Sequence, residues 1–127
     1  MEFTLTEEQI MIQQAARNFA QQSCLPGVIE RDEKQVFAKE QITQLSELGF
    51  MGMMVDPNYG GAGLDTISYV LAIEEISKVD ASVAVCMSVN NSLVCWGLET
   101  FGTEEQKQKY LTPIAQGKKE GELYLGA

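Results

Sequence analysis

From Ala81 through Leu98 the chain carries no charged residue. A soluble surface helix normally shows a polar stripe, and one without charge all round is either buried or in a membrane. Ser82, Ser88, Asn90, Asn91 and Ser92 interrupt the stretch, each costly in lipid and together too many for a spanning segment. The pattern therefore predicts a central helix over about 80–101, enclosed by the rest of the chain, with Asp80 or Ser82 as its N-cap. At 100° per residue Ser88 and Ser92 share an edge near Val85, Val89 and Trp96, whereas Asn91 lies nearer Met87, Cys95 and Leu98. A buried amide needs hydrogen-bond partners, so these groups either tie neighbouring elements together or face a cavity. Packing with internal hydrogen bonds is the preferred reading.

The flanking segments read as further helices. Thr6-Glu7-Glu8-Gln9 is a capping box that opens a helix to about Ser23, ended or kinked by Pro26. A short turn over 28–33 carries the charge run Glu30 to Lys34, which reads as a solvated face. Ala38 to Leu48 predicts a helix with Ile42, Leu45 and Leu48 as its apolar stripe and Gly49 as its left-handed cap. Asp65 caps a helix to about Lys78 whose apolar residues cover most of the circumference, so burial is expected there too. Glu74 on that helix is a candidate base by its apolar neighbours, but Lys78 one turn on favours a plain ion pair. Thr103-Glu104-Glu105-Gln106 is a second capping box, and Thr112-Pro113 is expected to bend or break the helix behind it. Residues 122–127 read as the start of a strand.

Composition excludes several functions. With 18 acidic against 9 basic residues, the net charge of -9 disfavours nucleic acid and anionic membrane surfaces. The absence of histidine removes Ser-His and Cys-His catalysis and histidine metal sites. Three glycines in the four residues 60–63 suggest a phosphate loop, but neither the Lys-Ser/Thr of a nucleotide loop nor a GxGxxG is present. A tight connection is the better reading. Cys24, Cys86 and Cys95 form no CxxC pair, and Cys86 and Cys95 face opposite sides of their helix. That usage, with no visible leader, gives a cytoplasmic expectation.

Several stretches in order carry a resemblance: Pro57-Asn58-Tyr59-Gly60-Gly61-Ala62-Gly63-Leu64-Asp65, Glu74-Glu75-Ile76-Ser77 leading to Asp80-Ala81-Ser82, Asn91-Ser92-Leu93, and Phe101-Gly102-Thr103-Glu104-Glu105-Gln106 continuing to Leu111. Together they resemble the N-terminal helical domain of acyl-CoA dehydrogenases, and Asn91-Ser92-Leu93-Val94-Cys95 is most similar to the short-chain, butyryl-type branch. The resemblance implies an all-α domain over 1–121, five to six helices around the central one, with 122–127 starting a middle β-domain. It implies an FAD-dependent, homotetrameric oxidoreductase of fatty-acid β-oxidation that converts acyl-CoA to trans-2-enoyl-CoA and passes electrons to an electron-transferring flavoprotein. No residue here matches the family's catalytic glutamate or its first flavin-contacting motif, so no catalytic, cofactor-binding or metal residue is assigned. By the resemblance Val85, Cys86 and Val89 would lie near the distal end of the acyl chain. The chain is then expected to be part of a longer enzyme, neither holding FAD nor turning over substrate alone. The alternatives are a related acyl-CoA oxidase or nitroalkane-type oxidase, a stand-alone helical interaction module, and a four-helix metal protein.

Overall fold

The computed structural model describes residues 3–118, and all regular structure among them is helical. The expected strand at 122–127 lies outside the described residues. Helix α1 spans 7–24, its last turn Ala20–Cys24 wound as π-helix. Next come α2 (Val28–Lys34), α3 (Lys39–Glu47) and α4 (Thr66–Ser77). Helix α5 (Ala81–Phe101) is continuous, with a π segment at Val89–Cys95, and α6 spans 104–115 with a π segment at Lys107–Leu111.

The helix starts follow the local signals. Thr6 Oγ1 accepts from the Gln9 N–H and the Gln9 side chain accepts from the Thr6 N–H, as the first capping box predicts. Gln9 also reaches across the fold, its Nε2 donating to Asp65 Oδ2 at 3.1 Å while Asp65 Oδ1 accepts from the Ser68 N–H. At the far ends of the same helices the Arg17 guanidinium forks onto both Glu75 carboxylate oxygens at 3.0 and 3.1 Å. These two links make α1 and α4 run in the same direction. Thr103 and Gln106 close the second box.

One core cluster joins α1, α3, α4, residues 50–53 and the first half of α5; Leu45, Met53, Ile76 and Met87 are fully buried in it. A second joins Val55, the second half of α5 and α6 through Cys95, Leu111 and Ile114. Between them runs the irregular segment 49–64. Gly49 takes the left-handed cap (φ 81°). The glycine run is a tight connection: a Cβ on Gly61 would sit 2.1 Å from the Val55 carbonyl oxygen, and Gly60 and Gly63 have φ of 84° and 64°.

Asn90 and Asn91 hold this segment to α5. Asn91 Oδ1 accepts from the Met53 N–H at 2.7 Å, and its Nδ2 donates to the Phe50 and Met87 carbonyls. Asn90 Nδ2 donates to the carbonyls of Met51 and Ile114, 2.7 and 3.1 Å away. Both amides are buried and tie elements together, as the preferred reading expects.

Five expectations need correction. Helix α5 is not enclosed: Val85, Leu93, Trp96 and Phe101 are 56–78% exposed. A charge-free surface shows that the helix avoids water, but the cover need not come from this stretch of chain. Helix α4 likewise exposes Ile67 and Val70, and Leu48 leaves the α3 stripe. Thr112-Pro113 does not break α6, because the π turn just before it is wide enough to take the proline ring. Arg31, placed on a solvated face, instead donates to the carbonyls of Cys24 and Pro26 and to Asp80 Oδ2 (3.0 Å). Asp80 is the α5 N-cap, its other oxygen accepting from the Ser82 and Val83 N–H groups.

Two outcomes follow for stability. Asn91→Ala leaves the Met53 N–H and the Phe50 carbonyl buried without partners, at about 1–3 kcal/mol each; urea unfolding of this variant is expected to show a loss of about 2–4 kcal/mol. The hydrogen bonds from Arg17 hold the Glu75 carboxyl below the usual glutamate range, against burial that pushes it up. A carboxylate depressed in the folded state stabilises fully above its unfolded pKa of about 4.3, and that contribution fades as pH falls through the folded value. Urea midpoints measured on either side of that range are expected to drop less on acidification for Glu75→Gln than for the parent chain.

Candidate functional site

The residues tied to a function lie along α5. Val83, Met87, Asn90, Asn91, Val94 and Cys95 turn inward, which leaves Val85, Ser92, Leu93, Trp96 and Phe101 on the outer side. Trp96 and Phe101 meet edge to face, ring centroids 5.8 Å apart. The Tyr69 hydroxyl of α4 donates to Ser92 Oγ at 3.3 Å, and Ser92 Oγ donates to the Ser88 carbonyl at 2.6 Å. These bonds turn the polarity of the Ser92 hydroxyl back onto the helix, so the outer surface stays largely apolar.

Val85, Cys86 and Val89 occupy about a 100° arc of the helix by its periodicity. Their surroundings differ. Val85 is 59% exposed on the open face. Cys86 is half-buried on the wall of an 820 Å³ cavity bounded by α2, α3 and the start of α5. Val89 is half-buried against the second core cluster, which Tyr59, Leu98 and Tyr110 also border. The described residues bring the three onto one sector but not into one enclosed pocket. A second, mainly apolar cavity of 490 Å³ opens between α5 and α6, lined by Leu93, Gly97, Leu98, Phe101, Tyr110 and Ile114. The sequence reading missed Leu93, Trp96 and Phe101 because it placed the whole helix inside. The signal was present in three bulky apolar residues on a charge-free stretch.

The chemistry available on this face is binding rather than proton transfer. Glu74 is exposed and pairs with Lys78 at 3.7 Å. Glu75 is buried but held as a carboxylate by Arg17, with Lys78 a second cation at 3.4 Å. The lowered pKa of Glu75 makes it a weaker base than a free carboxylate rather than one poised near neutral pH. Burial pushes the Cys24 and Cys95 thiols up to about 11 and about 12, which makes both poor nucleophiles. Among the described residues no group of three or more histidine, cysteine or acidic side chains is placed to hold a metal. Nor does the glycine run offer a phosphate cradle. The N–H groups of Ala62, Gly63 and Leu64 donate to the carbonyls of Gly52, Val55 and Met53. That run therefore has no free N–H groups at these three positions to cradle a pyrophosphate.

Residues 6–118 match the family model described as acyl-CoA dehydrogenase, N-terminal domain. A curated relative, the short-chain specific acyl-CoA dehydrogenase of Clostridium acetobutylicum, is 43% identical over 121 residues, covering 95% of this chain and 32% of its own. The chain thus spans about a third of the length of such relatives. Among solved structures, butyryl-CoA dehydrogenase from Megasphaera elsdenii superposes with a TM-score of 0.87 at 41% identity, over 94% of this chain and 32% of that one. A chain in a structure described as the electron transferring flavoprotein of Acidaminococcus fermentans gives a TM-score of 0.88 at 48% identity, over 92% of this chain and 31% of that one. With the family model matched over nearly its whole length and the helical order shared with these structures, the chain belongs to the acyl-CoA dehydrogenase N-terminal domain family.

Proposed function

We propose that residues 1–121 are the N-terminal helical domain of a flavin-dependent acyl-CoA dehydrogenase acting on short acyl chains, with 122–127 opening its middle domain. The observation that carries this is the outer side of α5: a helix without charge from Ala81 through Leu98 that leaves Val85, Leu93, Trp96 and Phe101 in water. Contiguous apolar surface of that kind marks a missing partner, and relatives about three times as long supply one in the rest of their own chain. The reaction is the oxidation of the Cα–Cβ bond of an acyl-CoA to a trans-2-enoyl-CoA. FAD supplies the electron acceptor for that chemistry and is held mainly by the remainder of the enzyme. The work of this domain is to wall the acyl chain, exclude water and stiffen the enclosure.

On this reading Val85, Cys86 and Val89 touch the distal end of the acyl group. Branched side chains at two of these positions shorten the space and favour short substrates. The names of the short-chain and butyryl-CoA relatives support that preference. The similarity to a chain in an electron transferring flavoprotein structure supports such a flavoprotein as the electron acceptor. A homotetramer and a reducing, cytoplasmic setting complete the proposal.

A chimera tests it, with residues 1–127 replacing the corresponding third of the Megasphaera butyryl-CoA dehydrogenase. The chimera is expected to purify yellow and to reduce an electron-accepting dye with butyryl-CoA, while the 127-residue chain alone purifies colourless and inactive. Turnover by the chain alone, or a folded and flavin-loaded chimera without turnover, sinks the proposal. Within an active chimera, Cys86→Ala removes volume at the end of the acyl site. Apolar pockets discriminate by about 1–3 kcal/mol per methylene, so the hexanoyl-to-butyryl ratio of kcat/KM is expected to rise by roughly tenfold.

A further inference from the structure

We propose that the 820 Å³ groove bounded by α2, α3 and the start of α5 is a docking surface for a protein segment that carries a bulky apolar side chain flanked by lysine or arginine. The groove lies outside the α5 outer side invoked above and shares only Cys86 with the acyl-chain proposal.

The first observation is the state of α2. None of its residues is buried, although its sequence includes Val28 and Ile29. The helix is held by one side chain, Arg31, through its bonds to the Cys24 and Pro26 carbonyls and to Asp80. A helix whose residues are all exposed or only half-buried gains little from packing, and short helices depend on packing for stability. Its apolar side chains are presented, not spent on the core.

The second observation is where those side chains gather. Ile29 is 72% exposed, Val36 56% and Phe37 47%, and all three line the same groove with Val79, Val83 and Cys86 deeper in. The bend that presents them is strained. Gln35 sits at φ 54°, the only residue other than glycine among the described residues in the left-handed region. Its N–H and that of Val36 donate back to the last turn of α2, fixing the bend. A side-chain-bearing residue held in that region costs about 1–3 kcal/mol and persists where the surroundings require it. Here it keeps Val36 and Phe37 at the mouth of the groove.

Charge chooses the partner. Arg31, the cation lining the groove, is engaged by Asp80 at 3.0 Å. Asp32 and Glu33 stand exposed on the rim, and neither makes an ion pair with another described residue. An apolar trough with an acidic rim is complementary to an apolar anchor between basic residues. A second copy of this chain, with its net charge of -9, would bring like charge to the rim. An anionic lipid surface would do the same.

The probe is a short amphipathic leucine–lysine peptide, with a leucine–glutamate counterpart as control, titrated into the isotopically labelled 127-residue chain. Amide shifts are expected at Ile29, Val36 and Phe37, and fluorescence anisotropy is expected to show binding of the lysine peptide only. Phe37→Ser is expected to weaken that binding by about tenfold. Ile29→Ser, at a more exposed position, supplies the same readout should Phe37→Ser lose its fold. Asp32→Asn with Glu33→Gln is expected to remove most of the salt dependence. The inference is overturned by shifts confined to Leu93, Trp96 and Phe101, by equal binding of the glutamate peptide, or by undiminished binding to both serine variants. Self-association abolished by Phe37→Ser would assign the groove to a second copy instead. Binding seen in the short chain and lost in the chimera would assign it to the remainder of the enzyme. Either of these also overturns the inference, and neither touches the acyl-CoA assignment, which the chimera's turnover decides.

Discussion

A stretch of backbone that is neither regular helix nor strand passes through the middle of this domain, and its peptide groups must be satisfied out of reach of water. Residues 50–53 and Val55 are buried, yet only Phe50–Gly52 forms even a single tight turn. An unpaired buried peptide group costs as much as a lost hydrogen bond, so this segment is stable only because partners come from outside it. Two consecutive asparagines on α5 supply them from one side. The returning glycine run supplies them from the other, Ala62, Gly63 and Leu64 donating to the carbonyls of Gly52, Val55 and Met53. Helix α6 is drawn in by the same device, since Asn90 holds the Ile114 carbonyl as well as that of Met51. The two apolar clusters meet across this seam.

That dependence gives α5 two unlike sides. Its inner side is polar where it must be, with amides bonded to backbone rather than to solvent. The outer side is apolar and open, with the Ser92 hydroxyl bonded to its own helix and to Tyr69. A helix with a hydrogen-bonded interior and a greasy exterior reverses the ordinary surface arrangement. It is stable in water only because α3, α4 and α6 grip the inner side, and it is suited to receiving something apolar on the other. The domain is thus built to hold one apolar helix face open.

What was legible in the sequence divides by distance along the chain. Both capping boxes, the Asp65 and Asp80 caps, the Gly49 terminus and the Glu74–Lys78 pair are local patterns, and all are present. Arg31 and Glu75 were not legible, because their partners lie 49 and 58 residues away and nothing in the neighbouring residues announces them. Asn90 and Asn91 were half legible: as amides on a charge-free helix they had to be bonded, but their partners are main-chain groups and carry no sequence signal. The exposure of Val85, Leu93 and Trp96 was misjudged for a different reason. Apolar patterning reports which surfaces avoid water, not whether the covering surface comes from the same hundred or so residues. The family resemblance rested partly on turn and cap residues, which are dictated by backbone geometry and therefore read clearly, and partly on helix-interior stretches such as Asn91-Ser92-Leu93.

The three π turns, at Ala20–Cys24, Val89–Cys95 and Lys107–Leu111, have a bearing on how a chain like this changes length over time. Each holds one residue more than the α-helical turn it replaces. Loss of a single residue inside one of them restores ordinary winding and leaves the flanking faces pointing where they did. A deletion anywhere else in α1, α5 or α6 would swing everything beyond it by about 100° and put core residues into solvent. Descendants of this sequence can therefore shed or gain single helical residues at three places without refolding, and insertions in the family are expected to collect there.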